Sequence, residues 1–259
     1  TEHLLVFDTG PRLGPDVDAG RSVVLPVLRQ LRVERVDTVI VSHWHEDHYG
    51  GLNSVLAASQ PVTRPSRLLT GSPALAEAPG DHQFAGCRAG DQWQWDGVLF
   101  QILHPDNASY RGINDQSCVV MVDAGGQRIL LSGDIEQAAE LSLVRRYAGQ
   151  LRADVLLAPH HGSNSSSSPA LLASVQPQWL LVSAGYRNRF DHPGQQVLAR
   201  ARQAGIDVLR TDISGAVQMV LGEAQGPRIK SLYREQSRRF WHNIPSDEYG
   251  KVPTKSAGD

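Results

Sequence analysis

Cysteine is scarce in this chain. Cys87 and Cys118 are the only two among 259 residues, too few for a disulfide framework, although one bridge between them stays open. A long apolar run is also missing. None reaches the roughly 18 residues of a membrane-crossing helix, and no secretory leader opens the chain. There is no initiator Met either, because Thr1-Glu2-His3 feed straight into an apolar strand, as expected of a piece excised from a longer protein. Charge of one sign is absent too: 25 Lys and Arg face 27 Asp and Glu, a net charge of −2. That balance excludes a histone-like coat for nucleic acid, so any such contact needs a local patch or metal ions. What is present is ordinary for a globular fold. Hydrophobic residues make up 41% and charged residues 20%, which excludes a disordered tail or a membrane bundle. The length suits one large domain or two small ones, burying well over half the surface of the unfolded chain.

No internal repeat is evident. Short β-rich runs alternate with helical stretches. Strands are predicted at Leu4–Asp8, Asp37–Val41, Arg67–Thr70, Gln83–Cys87 and Val98–His104. Cys118–Val122 and Arg128–Leu131 flank Gly125-Gly126, a hairpin signal. Further strands are predicted at Asp154–Ala158, Trp179–Ser183 and Ile206–Thr211, with a last hairpin at Ala216–Gly222. Helices are predicted at Arg21–Leu31, Gly50–Ser59, Glu136–Tyr147, Pro169–Val175 and Gly194–Ala204. Interleaved strands and helices in both halves suit an α/β class with helices packed outside sheets. Residues 1–234 form the expected domain, and 235–259 a loosely packed polar tail. Trp93 and Trp95 alternate at strand spacing and are read as a core contribution rather than a stacking platform.

The main chemical signal is Ser42-His43-Trp44-His45-Glu46-Asp47-His48-Tyr49-Gly50-Gly51, placed after the buried run Asp37–Val41. On a loop, three imidazoles and a carboxylate within six residues can converge on one point, and His nitrogen and Asp oxygen suit zinc-like cations. Trp44 is expected to pack beneath them. Other strand ends add donors. Asp134 in Ser132-Gly133-Asp134 would bridge two metals. His160 and His161 follow Asp154–Ala158, and His192 lies in Asp191-His192-Pro193. Asp8 would accept from a metal-bound His and orient it. In layered α/β folds, sites gather at the C-terminal ends of strands. The run Ser163–Ser168 after the His pair is open to two readings, a set of phosphate donors or a solvated loop. Arg187 and Arg189 flank the Asp191-His192 loop as backbone contacts or a solvated pair. Arg228–Phe240, with Trp241, is open between a single-strand contact and a final strand with an amphipathic tail.

His43-x-His45-x-Asp47-His48 resembles the HxHxDH signature of the metallo-β-lactamase superfamily, with Asp8, Asp134 and His160 falling where its other motifs fall. More narrowly, Asn114-Asp115-Gln116-Ser117, Ser132-Gly133-Asp134-Ile135-Glu136, His160-His161-Gly162-Ser163 and Asp191-His192-Pro193 resemble the C-terminal domain of ComEC-type competence proteins. These are multispan inner-membrane proteins that pass one DNA strand into the cytoplasm. The resemblance covers about Thr1 to Gly222. It implies an αββα four-layer sandwich of two mixed β-sheets, here starting after the superfamily's usual first strand. It implies two divalent ions, zinc or manganese. His43 and His45 would hold the first, with Asp115 or Asn114 where other members place a His. Asp47, His48 and His160 would hold the second, and Asp134 would bridge. A hydroxide formed at the metals and oriented by Asp47 would attack phosphorus, and His161 or His192 would protonate the leaving oxygen. Ser163 and Arg189 would contact substrate. The implied activity is a phosphodiesterase or nuclease that degrades the non-transported strand. Its partners would be DNA, expected as a single strand, and the parent chain's membrane channel, with the domain facing the periplasm. Two alternatives are a hydrolase of a small phosphodiester or lactam, and a non-catalytic domain that binds DNA or gates a channel.

Overall fold

The computed structural model describes residues 3–33, 35–58, 65, 67–73, 82–106, 108 and 110–237. Arg238, Arg239, Phe240, Trp241 and nearly all of the expected tail lie outside the described residues. The chain divides into two compact units, one of residues 1–123 and 131–139, the other of 124–130 and 140–259.

The first unit opens with β1 (Leu5–Phe7), a π-type turn over Gly20–Val24 and helix α1 (Leu25–Gln30). The predicted helix Arg21–Leu31 is thus split, with Pro26 in the first turn of α1, where a missing N–H costs nothing. Then come β2 (Thr38–Val41), the short helix α2 (Glu46–Tyr49), α3 (Leu52–Ala58), β3 (Arg67–Thr70) and β4 (Ala85–Gly86). The four strands run parallel in the order β1-β2-β3-β4, with Phe7 opposite Ile40 and Val41 opposite Thr70. Strand β2 is buried along its whole length. Val39 and Val41 pack with Leu52, Leu56, Val24 and Leu28. Ile40 packs on the other side with Ile102, Cys118 and Val120. Burial on both faces is why this strand reads as an unbroken apolar run.

Strands β5 (Gln92–Trp95), β6 (Val98–His104) and β7 (Val119–Ala124) lie side by side. β5 and β6 are antiparallel about Asp96-Gly97, both left-handed as a two-residue hairpin requires. Trp93 stacks on Phe100 at 5.1 Å and joins the core, in accord with the core reading of this residue. Cys87 and Cys118 form a disulfide, 31 residues apart in sequence.

The chain turns at Gly125-Gly126 into β8 (Gln127–Leu131) and continues through α4 (Gln137–Tyr147) into the second unit. There β9 (Val155–Leu157), α5 (Pro169–Val175), β10 (Trp179–Val182), α6 (Gln195–Gln203) and β11 (Asp207–Arg210) alternate. Strands β8 to β11 are parallel neighbours, with helical crossovers between β9, β10 and β11. β12 (Val217–Val220) pairs antiparallel with β13 (Arg228–Leu232), so the basic segment opens as a strand and continues as a helical turn over Tyr233–Gln236. No helix of the described residues is long and apolar enough to cross a membrane. The α/β class expected from the sequence is what the chain adopts, with strands of mixed direction and interleaved helices.

Candidate metal centre

The His-rich segment starts where β2 stops. Ser42 and His43 are fully buried, and His45 sits at the N-cap position of α2. The motif is therefore not all loop, as expected from the sequence: Glu46 to Tyr49 make a helical turn. Trp44 stacks on Tyr49 at 4.6 Å and meets Phe84 edge-on, which anchors this turn to the core. The end of β1 is stitched to it as well. Thr9 N–H and its hydroxyl both donate to the His48 carbonyl, at 2.8 and 2.9 Å. A Cβ on Gly51 would overlap Gly20 and the Thr9 carbonyl, so only glycine lets these backbones meet.

Asp8 has a left-handed backbone, φ 59°. One carboxylate oxygen accepts Ser42 N–H at 2.6 Å and the other accepts His48 Nδ1–H at 2.8 Å. With Nδ1–H held by Asp8, the His48 ring turns Nε2 away from Asp8, as the atom a bound cation would take. Nε2 lies 3.2 Å from Asp134 and 3.8 Å from Asp47. His43 Nδ1 contacts Ser42 Oγ at 3.1 Å, and its Nε2 comes within 3.0 Å of His45 Nδ1. The His43 and His48 ring centroids are 4.2 Å apart. Burial beside His48 pushes the His43 pKa down to about 4, so this imidazole is neutral at pH 7 and free to donate a lone pair. Burial alone would also lower His48. The Asp8 and Asp134 carboxylates outweigh it and hold that pKa well above its ordinary value.

Asp134 reaches the cluster from the turn after β8. Its N–H donates to Ser117 Oγ at 3.0 Å. Gly133 takes φ +55°, and a Cβ there would press on Ser117 and Ser42, so this Gly-Asp pair is a built turn. Ser42 and Ser117, which the sequence shows only as members of longer motifs with no role of their own, are buried positioning residues. Asp115, expected as a ligand, accepts Glu136 N–H on one carboxylate oxygen at 2.7 Å, and its carbonyl meets His104 Nε2 at 2.7 Å. Asn114 opens the short 3-10 turn Asn114–Gln116. Both residues hold the turn that carries Ser117.

In the second unit, His160 and His161 follow β9 with left-handed backbones, φ 49° and 54°. His161 Nδ1 lies 2.9 Å from the Ser183 carbonyl, a bond that fixes its proton there and directs Nε2 outward as a lone pair. His160 Nδ1 approaches Ser165 Oγ at 3.5 Å, and its ring lies 5.9 Å from that of His192. The serine run is not the solvated loop of one reading. Ser166 and Ser167 are fully buried. Glu140 accepts Ser167 N–H at 2.5 Å and Ser168 N–H at 2.9 Å, and Arg200 donates to the Ser166 carbonyl at 2.8 Å. Ser163 Oγ bonds Ser165 Oγ at 3.0 Å. His192 is ringed by Phe190 at 5.7 Å and His160 at 5.9 Å. Arg189 lies over Phe190.

The donor set of the first unit fits a divalent cation. Among the described residues, donor atoms of Asp47, His48 and Asp134 all lie within 4.8 Å of one another. The 3.0 Å between the His43 and His45 nitrogens is close to the spacing of two ligands on one ion of this size. Asp8, Asp47 and Asp134 surround the His43 and His48 rings in a mostly buried place, and a cation there would offset their negative charge. Such a cluster at the end of a parallel strand is the mark of one class of protein, and residues 1–185 match the Metallo-beta-lactamase superfamily. The chain belongs to that superfamily, whose fold implies divalent metal use.

Its relatives narrow this further. It is 39% identical over 235 residues to Competence protein ComA of Neisseria gonorrhoeae, covering 89% of this chain and 32% of that one. It is 34% identical over 217 residues to Recombination protein 2 of Haemophilus influenzae, covering 83% and 26%. With ComE operon protein 3 of Bacillus subtilis it shares 29% over 209 residues, covering 77% and 26%. The chain spans about a third or less of the length of these relatives.

Proposed function

We propose that this chain is a metal-dependent phosphodiesterase acting on DNA, the hydrolytic domain of a DNA-uptake protein that degrades the non-transported strand. The observation that carries the reading is the set His43, His45, Asp47, His48 and Asp134, in a chain 39% identical to a protein named Competence protein ComA. Two ions, zinc or manganese, would be held by His43 with His45 and by Asp47 with His48, Asp134 serving both. The resemblance asks for a further imidazole from the Pro159–Gly162 turn. His160, favoured on the sequence, would supply it, and His161, whose Nδ1 meets the Ser183 carbonyl, is the other candidate. The bound ions would supply Lewis acidity and a nucleophile at neutral pH.

The chain's own residues do the rest. Asp8 fixes the His48 tautomer, and Ser42 and Ser117 set the two turns. Asp47, 47% exposed, is the carboxylate open to solvent that can orient the attacking water. His192 donates the proton to the leaving oxygen. Ser163 and Arg189 bind phosphate. The membrane channel of the parent chain and a periplasmic orientation complete the proposal.

The test is incubation of the purified chain, reloaded with manganese or zinc, with end-labelled single- and double-stranded DNA beside Asp47→Ala. Metal-dependent cleavage absent from the variant is expected. Intact DNA from a metal-loaded, folded chain would overturn the nuclease reading and shift it to a small phosphodiester. A lactamase with a thiolate ligand is disfavoured, since Cys87 and Cys118 are both consumed by the disulfide.

A further inference from the structure

We infer that the loop between β10 and α6, residues 185–192, is a stacking platform for the bases of a single nucleic-acid strand. The inference rests on the nucleic-acid reading above and adds a surface to it. Tyr186 and Phe190 sit on this loop with 52% and 59% of their surface open to solvent. An aromatic this exposed gains little from folding, so two on one short loop ask for a partner. The loop is ordered by its own side chain. Asn188 Nδ2 donates to the Gly185 carbonyl at 3.1 Å and to the His192 carbonyl at 2.8 Å, while His192 N–H donates to Asn188 Oδ1 at 2.9 Å. The rings are thus presented on a closed frame, and less conformational entropy is lost when a base docks.

Arginines accompany both rings. The Arg189 guanidinium lies 4.6 Å from the Phe190 centroid. Those of Arg187 and Arg234 lie 5.3 and 5.6 Å from that of Tyr186. In sequence, Asp191 and Glu235 are acidic neighbours of these three cations, and Asp212 is paired with Arg210. These three guanidinium groups outnumber the two carboxylates that neighbour them in sequence. Rings for bases alternating with guanidinium groups for phosphates are the pattern of sequence-tolerant single-strand binding. The row continues through Phe190 to His192 and on to His160, so a strand seated here leads to the histidines of its own unit.

The test uses the full 259-residue chain stripped of metal, so that binding is read without cleavage. Fluorescence anisotropy would follow labelled oligothymidine, an abasic strand of equal length and a duplex. Oligothymidine is expected to bind at least about fivefold tighter than the abasic strand, and Phe190→Ala and Tyr186→Ala should each remove about that factor. Phe190→Trp should restore it, and Arg189→Ala should reduce the salt dependence of affinity. Thermal melting confirms that each variant is folded. Equal affinity for abasic and thymidine strands, unchanged affinity in the alanine variants, or a preference for duplex would each overturn the proposal. Binding that needs these rings in a chain without nuclease activity sinks only the catalytic reading. Cleavage indifferent to them sinks only this one.

Discussion

Replacement of Asp8 by Asn isolates one bond of the candidate centre. Asp8 is left-handed at φ 59°, a conformation that Asn tolerates, so the backbone is not perturbed. The Asn carbonyl oxygen still accepts Ser42 N–H. Its amide then faces His48 Nδ1–H, donor against donor, at a contact now 2.8 Å. The ring escapes by moving its proton to Nε2, the atom 3.2 Å from Asp134, and there it can no longer give a lone pair to a cation. Loss of such an orienting partner costs 10- to 100-fold in metal affinity, about 1.4–2.8 kcal/mol. Removing one charge-assisted bond costs the fold roughly 1.5–3 kcal/mol as well. Zinc competition against a chromogenic chelator measures the first quantity and urea denaturation of the metal-free chain the second. A folded Asp8→Asn variant that holds zinc within threefold of the parent would refute the claim that Asp8 sets the His48 tautomer.

Glu140 gives a pH prediction. Its burial pushes its pKa up, against the N–H bonds from Ser168 and Ser167. The folded state therefore binds this proton more tightly than the unfolded chain. The stability it contributes is complete below the ordinary carboxylate pKa and is lost as pH rises through the raised value. Glu140→Gln should flatten that part of the stability curve in urea titrations, and Glu140→Ala, which strips two buried N–H groups of their acceptor, should cost about 3 kcal/mol. Reduction of Cys87–Cys118, closing 31 residues, should cost about 3–4 kcal/mol by loop entropy, read as a shift of the urea midpoint on adding reductant. Gly133→Ala should strain φ +55° and displace Ser117, lowering metal affinity more than Asp115→Asn does in the same zinc competition.

Much of this was legible in the sequence. β2 announced itself by an apolar run, and Arg67–Thr70, Val98–His104 and Pro169–Val175 occur where periodicity placed them. His43, His45, Asp47 and His48 were visible because four donors in six residues are improbable without a cation. The rest depended on long-range contact. Ser117 is made important by Asp134, 17 residues away, and no local pattern carries that. Gly20 and Gly51 exclude a side chain from each other across 31 residues. The contact of His161 with the Ser183 carbonyl comes from a later strand end, which no local pattern announces. The helical turn of Glu46–Tyr49 was hidden because its residues are known for ligation rather than for helix propensity.

The left-handed backbones at His160 and His161 have a consequence for anyone who tries to improve this protein. A side chain in that conformation costs about 1–2 kcal/mol, and glycine would relieve it. Selection for heat resistance alone would therefore drift toward glycine at these two positions. Each step would strip an imidazole from the turn after β9. A library scored by melting temperature would favour variants that lack these imidazoles. Screening for hardiness and screening for chemistry would then pull this turn in opposite directions.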